Sequence, residues 1–62
     1  MKEINGENYR ICYDEPLMCY LWTLIRETDI LMGKSYSFGQ AKKDLKVAMF
    51  ESAIEVPAEL EK

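Results

Sequence analysis

A chain of 62 residues, 48% hydrophobic and 31% charged, has the composition of one small folded domain and excludes a disordered tail. The net charge of −3 argues against a general nucleic-acid-binding protein, because such proteins carry a basic face. The absence of histidine excludes Ser-His and Cys-His catalytic pairs, so we expect a protein that is not an enzyme. A domain this small buries only about 60% of its unfolded surface, and such domains usually need a disulfide, a metal or a partner chain.

The chain begins with a predicted turn and a predicted strand. Asn5-Gly6 suits a type I′ turn, in which both central residues must accept positive φ. This segment is interpreted as a short hairpin or as a simple turn before the first strand. Residues 9–13 (YRICY) then alternate large apolar side chains with other residues, which is the period of a strand. Pro16 cannot donate to a ladder and predicts the turn that follows.

Residues 17–32 fit two structures. A stripe of leucines with a glycine stop favours one helix. The aromatic and β-branched residues of 19–25 favour a strand, with a turn at 26–29 and another strand at 30–35. We predict two strands and keep the helix as the alternative.

A helix is predicted from Ser37 to Ile54. Ser37 is a good N-cap, and Gln40 stands at the capping-box spacing. At 100° per residue one face of this helix collects the residues Phe38, Ala41, Leu45, Ala48, Met49 and Ser52. We expect this face to lie on the sheet.

The predicted fold is therefore α+β, a three-stranded antiparallel meander followed by one C-terminal helix. The alternative is an N-terminal β-hairpin followed by two helices. Residues 1–56 form the single domain in this prediction, and residues 57–62 form a frayed acidic tail.

The two cysteines bear on the redox environment of the chain. If the first two strands pair around Asp-Glu-Pro-Leu, Cys12 faces Cys19, and opposed Cβ atoms about 4.5–5.5 Å apart fit a disulfide. No signal-peptide pattern is present and no apolar run is long enough to span a bilayer, so we expect a cytoplasmic protein without a membrane partner. Cytoplasmic cysteines are usually free thiols, which is the interpretation we favour.

One stretch of the chain resembles a known family. The segments INGENYR and PLMCYLWTLIRE resemble the opening of ferredoxin-like [2Fe-2S] subunits of molybdenum hydroxylases. Those subunits continue into a cysteine-rich cluster loop, whereas the matching stretch here, GKSYSFGQAKKD, has no cysteine. Less than half of the chain is covered. We expect no cofactor and no metal.

The predicted elements leave more apolar surface than one helix can cover. In the expected pairing, an aromatic-rich set shares one sheet face, and Cys12, Cys19, Leu21, Thr23 and Ile25 share the other. Large exposed apolar patches usually mark an interface. The predicted protein interface combines the aromatic-rich face with a second helix stripe and comprises Tyr9, Ile11, Tyr13, Tyr20, Trp22, Leu24, Val47, Phe50 and Ile54.

We accordingly expect a small protein that binds another protein, with its own copy as one partner. The favoured class is an inhibitor or regulator of a larger host protein, of the kind that phages and mobile elements encode. It would act by steric occlusion, with rim carboxylates steering it toward a basic site. The alternatives are a structural homo-oligomer or accessory subunit, and a weak nucleic-acid binder that uses Tyr36 with Lys42, Lys43 and Lys46.

Overall fold

The computed structural model describes residues 2–61; Met1 and Lys62, at the ends of the predicted domain and tail, lie outside it. The described chain forms one antiparallel sheet and two helices. The strands are β1 (Ile4–Asn5), β2 (Tyr9–Asp14), β3 (Cys19–Ile25) and β4 (Ile30–Ser35), and the helices are α1 (Phe38–Glu51) and α2 (Ala58–Glu61). The α+β class and the strands-then-helix order are confirmed, with β1 as an additional short strand. The helical alternative for residues 17–32 is wrong.

The strand order in the sheet follows the chain, from β1 to β4. Between β2 and β3, Cys12 lies opposite Leu21, and Cys19 lies opposite Asp14. The expected pairing of Cys12 with Cys19 is therefore wrong. Asp14 belongs to β2, and its carboxylate accepts a hydrogen bond from the Leu17 amide at 3.2 Å. The turn therefore comprises residues 15–18, one residue later than the predicted Asp-Glu-Pro-Leu turn. Both cysteines are free thiols, as the cytoplasmic interpretation expected.

The helix α1 covers the aromatic-rich face of the sheet. It packs mainly across β3 and β4 and buries Leu45 and Met49 completely. The buried cluster between the layers consists of Tyr9, Ile11, Leu24, Ala41, Leu45, Ala48, Met49 and Leu60. The predicted inner stripe of the helix is confirmed in its four central members.

Local chemistry sets where α1 begins. Ser37 lies in extended backbone, and its Oγ accepts from the Gln40 amide at 3.1 Å, as the capping-box spacing predicts. The Gln40 side chain does not return to Ser37. Its Nε2 donates to Asp44 Oδ1 at 2.8 Å, while the Ser35 hydroxyl donates to Asp44 Oδ2 at 2.6 Å. Asp44 therefore ties the first turns of α1 to the end of β4.

The helix ends at Glu51, before the predicted Ile54, because the chain turns at Ala53. Ala53 adopts φ 57°, and the Ile54 amide donates to the Met49 carbonyl at 2.8 Å, the pattern of a Schellman cap. Glycine usually takes this left-handed position, and no glycine marked the stop in the sequence. Ile54 consequently leaves the helix and packs against the core.

The C-terminal segment is part of the core, which corrects the expected frayed tail. Leu60 is fully buried, and the Tyr9 hydroxyl donates to the Glu59 carboxylate. Because α1 lies mainly over β3 and β4, the β1–β2 half of the sheet needs another cover. The hydrogen bond between Tyr9 of β2 and Glu59 places the C-terminal segment at this half, and Ile54 and Val56 pack against the buried cluster.

Candidate protein-binding surface

The sheet has a second face, opposite α1, which we call the open face. Strand alternation assigns to it every second side chain of each strand. With the observed register, its residues are Asn5, Arg10, Cys12, Asp14, Cys19, Leu21, Thr23, Ile25, Ile30, Met32 and Lys34. Cys19, which follows the β2–β3 turn, is only 1% exposed, so the face is covered at that end. Within residues 2–61 no helix packs on this face, since both helices contribute to the core on the other side.

The apolar part of the open face is centred on β3 and β4. Ile25, Ile30 and Met32 are 49%, 57% and 73% exposed. Ile25 pairs with Ile30, and Met32 pairs with Thr23, so these side chains are neighbours. Scattered single apolar residues are normal on protein surfaces, but a contiguous group is typical of an interface.

The charges on the open face differ in sign from those of the whole chain. It carries two cations, Arg10 and Lys34, and one carboxylate, Asp14. The chain as a whole has a net charge of −3. The open face is therefore the relatively basic side of an acidic protein.

The strand β4 lies at the end of the sheet and has a free outer edge within residues 2–61. The Arg26 amide donates to the Asp29 carbonyl at 2.8 Å, in register with the pairing of β3 and β4. Because antiparallel pairs alternate between hydrogen-bonded and non-hydrogen-bonded, every second residue after Asp29 directs its backbone toward β3. Ile30, Met32 and Lys34 direct their N–H and C=O groups outward. These are also the three β4 residues whose side chains lie on the open face.

The turn between β3 and β4 is fixed by Arg26. Its Nε donates to Asp29 Oδ1 at 2.5 Å, its second terminal nitrogen pairs with Asp29 Oδ2, and its Nη1 donates to Ser52 Oγ at 3.0 Å. The hydrogen bond from Arg26, together with the guanidinium charge, lowers the pKa of Asp29 below its ordinary value. The arrangement holds the start of β4 against the end of α1.

The aromatic-rich residues predicted as interface belong to the side that α1 covers. Tyr9, Ile11 and Leu24 lie in the core, and Tyr20 and Trp22 pack against it. The sixth member, Tyr13, is half-buried, with its ring centroid 5.1 Å from that of Tyr20. The folded chain does not present the three core residues to a partner, so the assignment of this face as an exposed surface is corrected.

The second predicted stripe, on α1, is only partly exposed. Val47 and Phe50 are exposed, Phe50 by 82%, and remain available at the surface. Ile54 packs on the core, because the Schellman cap takes it out of the helix. Two side chains make a smaller apolar surface than the open face does.

The predicted basic cluster does not project as one patch. Lys42 Nζ and Lys2 Nζ each lie 5.4 Å from the ring centroid of Phe38, whereas Lys43 is exposed and Lys46 is half-buried. A cation over an aromatic ring is attracted by its negative face. Lys42 is therefore held against the domain, apart from Lys43.

A metal-binding group or a cavity among the described residues would offer a further kind of site. Within residues 2–61 no group of three or more Cys, Asp and Glu side chains could hold a metal ion, and no cavity is found. No helix in this range is long and apolar enough to cross a bilayer. Comparisons with family models, curated proteins and solved structures find no match to this chain. Its surface is therefore the basis for assigning a function.

Sequence reasoning missed Ile30 and Met32 as surface residues. The signal that could have found them is register: once Leu24 is assigned to the inner face, its partner Leu31 follows, and the residues on either side of Leu31 must face outward.

Proposed function

We propose that this chain is a small non-enzymatic protein-binding protein, and that the open face docks on an apolar protein surface with an acidic rim. The single observation that carries the proposal is the exposed group of Ile25, Ile30 and Met32 on a sheet face that the described chain leaves uncovered. Removing such a group from water favours association.

The acidic rim of the partner follows from the charges of the open face. Arg10 and Lys34 flank the apolar group from two different strands. Complementary charges raise the association rate and select the partner more than they raise affinity. The steering expected from the sequence thus changes sign: carboxylates of the partner would meet cations of this chain.

The size of the open face limits the complex that it can form. Four strands about 4.8 Å apart, the longest of seven residues, make a face of about 400 Å². This is about half of the roughly 800 Å² that each partner buries in a standard interface, so the open face alone has the size of a weak, transient interface.

We further propose that binding regulates a larger protein by steric occlusion, as small inhibitors from phages and mobile elements do. The support is geometric: within residues 2–61 one face of the sheet has no helix packed on it, and no cavity is found. The two free thiols agree with a reducing compartment, the cytoplasm, as the place of action.

The proposal is tested by introducing a negative charge at the centre of the open face. Thr23 lies between Arg10 and Met32, and its side chain is only half-buried, so Thr23→Glu should leave the fold intact. We expect it to weaken capture of the partner at least tenfold, because a carboxylate would enter an apolar contact beside an acidic rim. Thermal unfolding of each variant checks the fold.

Two further variants show whether the effect is specific to the open face. Met18→Glu places the same charge in the β2–β3 turn, at a residue that is 74% exposed, and should leave capture unchanged. Phe50→Glu tests the helix surface. A captured protein that tolerates Thr23→Glu but is lost with Phe50→Glu would refute the open face as the docking surface. An inhibitor should also reduce the activity of the captured protein, and Thr23→Glu should abolish that effect.

A second function is favoured by the free edge of β4. Within residues 2–61 no strand pairs with the outer edge of β4, which is six residues long and has no bulge. Such an edge suits a structural role in which this chain associates with its own copy. We propose self-association as a second property of the chain.

A further inference from the structure

We infer that two copies of this chain associate by pairing β4 with β4, antiparallel about a two-fold axis perpendicular to the sheet. The four-stranded sheet would become one continuous sheet of eight strands. The two open faces would lie side by side on the same surface, which doubles the docking area. This inference rests on the proposed self-association and names the contact that produces it.

The backbone of β4 is the first support. The outward N–H and C=O groups of Ile30, Met32 and Lys34 form a regular ladder with no partner within residues 2–61. Natural edge strands are usually protected by proline, by charges, by bulges or by being very short. β4 has no proline and no bulge, and Lys34 is its single charge. β1, the other edge, has two residues and is protected by its length.

The register of the pair follows from the same geometry. A two-fold axis perpendicular to the sheet keeps both open faces on one side, so an open-face residue must pair with another open-face residue. Placing Met32 opposite Met32 of the second copy also pairs Ile30 with Lys34 at each end. All three outward residues then exchange hydrogen bonds, about six in total, two per pair. Shifting the register by one open-face position leaves one of them unpaired within the strand.

Charge favours the antiparallel arrangement. Glu27 precedes β4, Lys34 lies near its C-terminal end, and both side chains are exposed. Neither forms an ion pair within residues 2–61. In the antiparallel pair, Lys34 of one copy faces Ile30 of the other. Glu27 of that other copy precedes Ile30 by three residues, about 10 Å along the chain. At low ionic strength the attraction between Lys34 and Glu27 favours the antiparallel arrangement, whereas at physiological ionic strength, where the Debye length is about 8 Å, it is largely screened.

Stacking of the two open faces on each other is the less favourable alternative. It would bring two copies of the same basic rim, Arg10 and Lys34, into one interface, and like charges in contact disfavour association. Edge pairing keeps both rims at the surface. The second copy therefore fits the edge, and the acidic partner fits the face.

The edge contact is small, which sets the strength of the dimer. Five paired residues span about 17 Å of strand, and the shortest extent of the molecule is 17 Å. The contact covers about 300 Å² per copy, well below the roughly 800 Å² of a standard interface. We expect a dimer that forms and dissociates with concentration.

Sedimentation equilibrium of the wild-type chain, Met32→Lys and Met18→Lys tests the inference. Met32→Lys places two ammonium groups opposite each other on the axis and should weaken self-association at least tenfold. Met18→Lys is the matched control: the same replacement, at a methionine that is 74% exposed where Met32 is 73%, away from the edge. Wild type and Met18→Lys should dimerise alike. A wild-type chain that stays monomeric at millimolar concentration overturns the inference.

Amide hydrogen exchange identifies the contact. The amides of Ile30, Met32 and Lys34 should exchange rapidly in dilute solution and become protected as the dimer forms. Those of Leu31 and Gly33 donate to β3 and should be protected at both concentrations. A dimer in which the three outward amides stay unprotected would overturn edge pairing while leaving self-association standing. Neither outcome changes the Thr23→Glu capture experiment.

Discussion

Replacing Leu60 by alanine should destabilise the domain as strongly as a central core substitution, although Leu60 is the third residue from the C-terminus. Its side chain is fully buried in the same cluster as Ile11, Leu24 and Leu45. Leu→Ala changes at such sites cost about 2–5 kcal/mol, from lost transfer free energy and from the cavity that remains. We expect the lower half of that range, because α2, with four residues, can move into a cavity more easily than the 14-residue α1.

This loss is large for so small a domain. At roughly 0.05–0.15 kcal/mol per residue, the free energy of unfolding of this chain is about 3–9 kcal/mol. A change of about 2–3 kcal/mol is therefore a large part of it. Since 1 kcal/mol shifts the Tm of a 60–100-residue domain by roughly 4–8 °C, we expect Tm to fall by about 8–24 °C.

Urea unfolding followed by Trp22 fluorescence measures the effect. Trp22 is the chain's single tryptophan and packs against the core, so its emission reports on the whole domain. Leu17→Ala is the matched control, since Leu17 is 56% exposed in the β2–β3 turn and should change stability by less than about 0.5 kcal/mol. If Leu60→Ala resembled Leu17→Ala, the C-terminal segment would not be part of the core.

Three other predictions concern local chemistry. A Cβ at Gly33 would lie 2.5 Å from two carbons of the Trp22 indole, so Gly33→Ala should cost about 1–3 kcal/mol in urea unfolding. A Cβ at Gly39 meets nothing within 4 Å, so Gly39→Ala should instead stabilise the helix by about 0.5–1 kcal/mol. Because the pKa of Asp29 is lowered in the folded chain, its ion pair stabilises the fold above the ordinary pKa of 3.8 and is lost as pH falls through the lower, folded value. Asp29→Asn should therefore reduce Tm at neutral pH, and the difference from wild type should shrink below pH 3.8; a difference that grew in acid would contradict this linkage.

The sequence predicted the elements better than it predicted what covers them. The strands could be predicted from the alternation in residues 9–13 and from the residue types of 19–25. The start of α1 could be predicted from Ser37 and the helical stripe that follows it. The helix end was missed because Ala53, not a glycine, adopts the left-handed conformation. The role of Leu60 was missed because four of the last eight residues described are charged or proline, and one leucine among them carries no periodic signal.

The sequence predicted an uncovered apolar face of the sheet, but assigned it to the side that α1 covers. Two apolar faces were expected on the sheet, and two are present. Composition alone suggested that aromatic residues such as Trp22 mark the exposed face, since aromatics are enriched at interfaces. In the folded chain Trp22 lies across from Gly33, which has no side chain and leaves room for the indole beneath α1. This complementarity between Trp22 and Gly33 cannot be predicted from the sequence until the register of the two strands is known.

The central claim is that α1 covers the aromatic-rich face and leaves the open face to solvent. Methyl NMR with a soluble paramagnetic probe, at a concentration where the chain is monomeric, tests this claim most directly. The methyl groups of Ile25 and Met32 should relax strongly, whereas those of Ile11 and Leu24, fully buried beneath the helix, should be protected. Ile11 and Leu24 methyls that relax as strongly as those of Ile25 and Met32 would contradict the account.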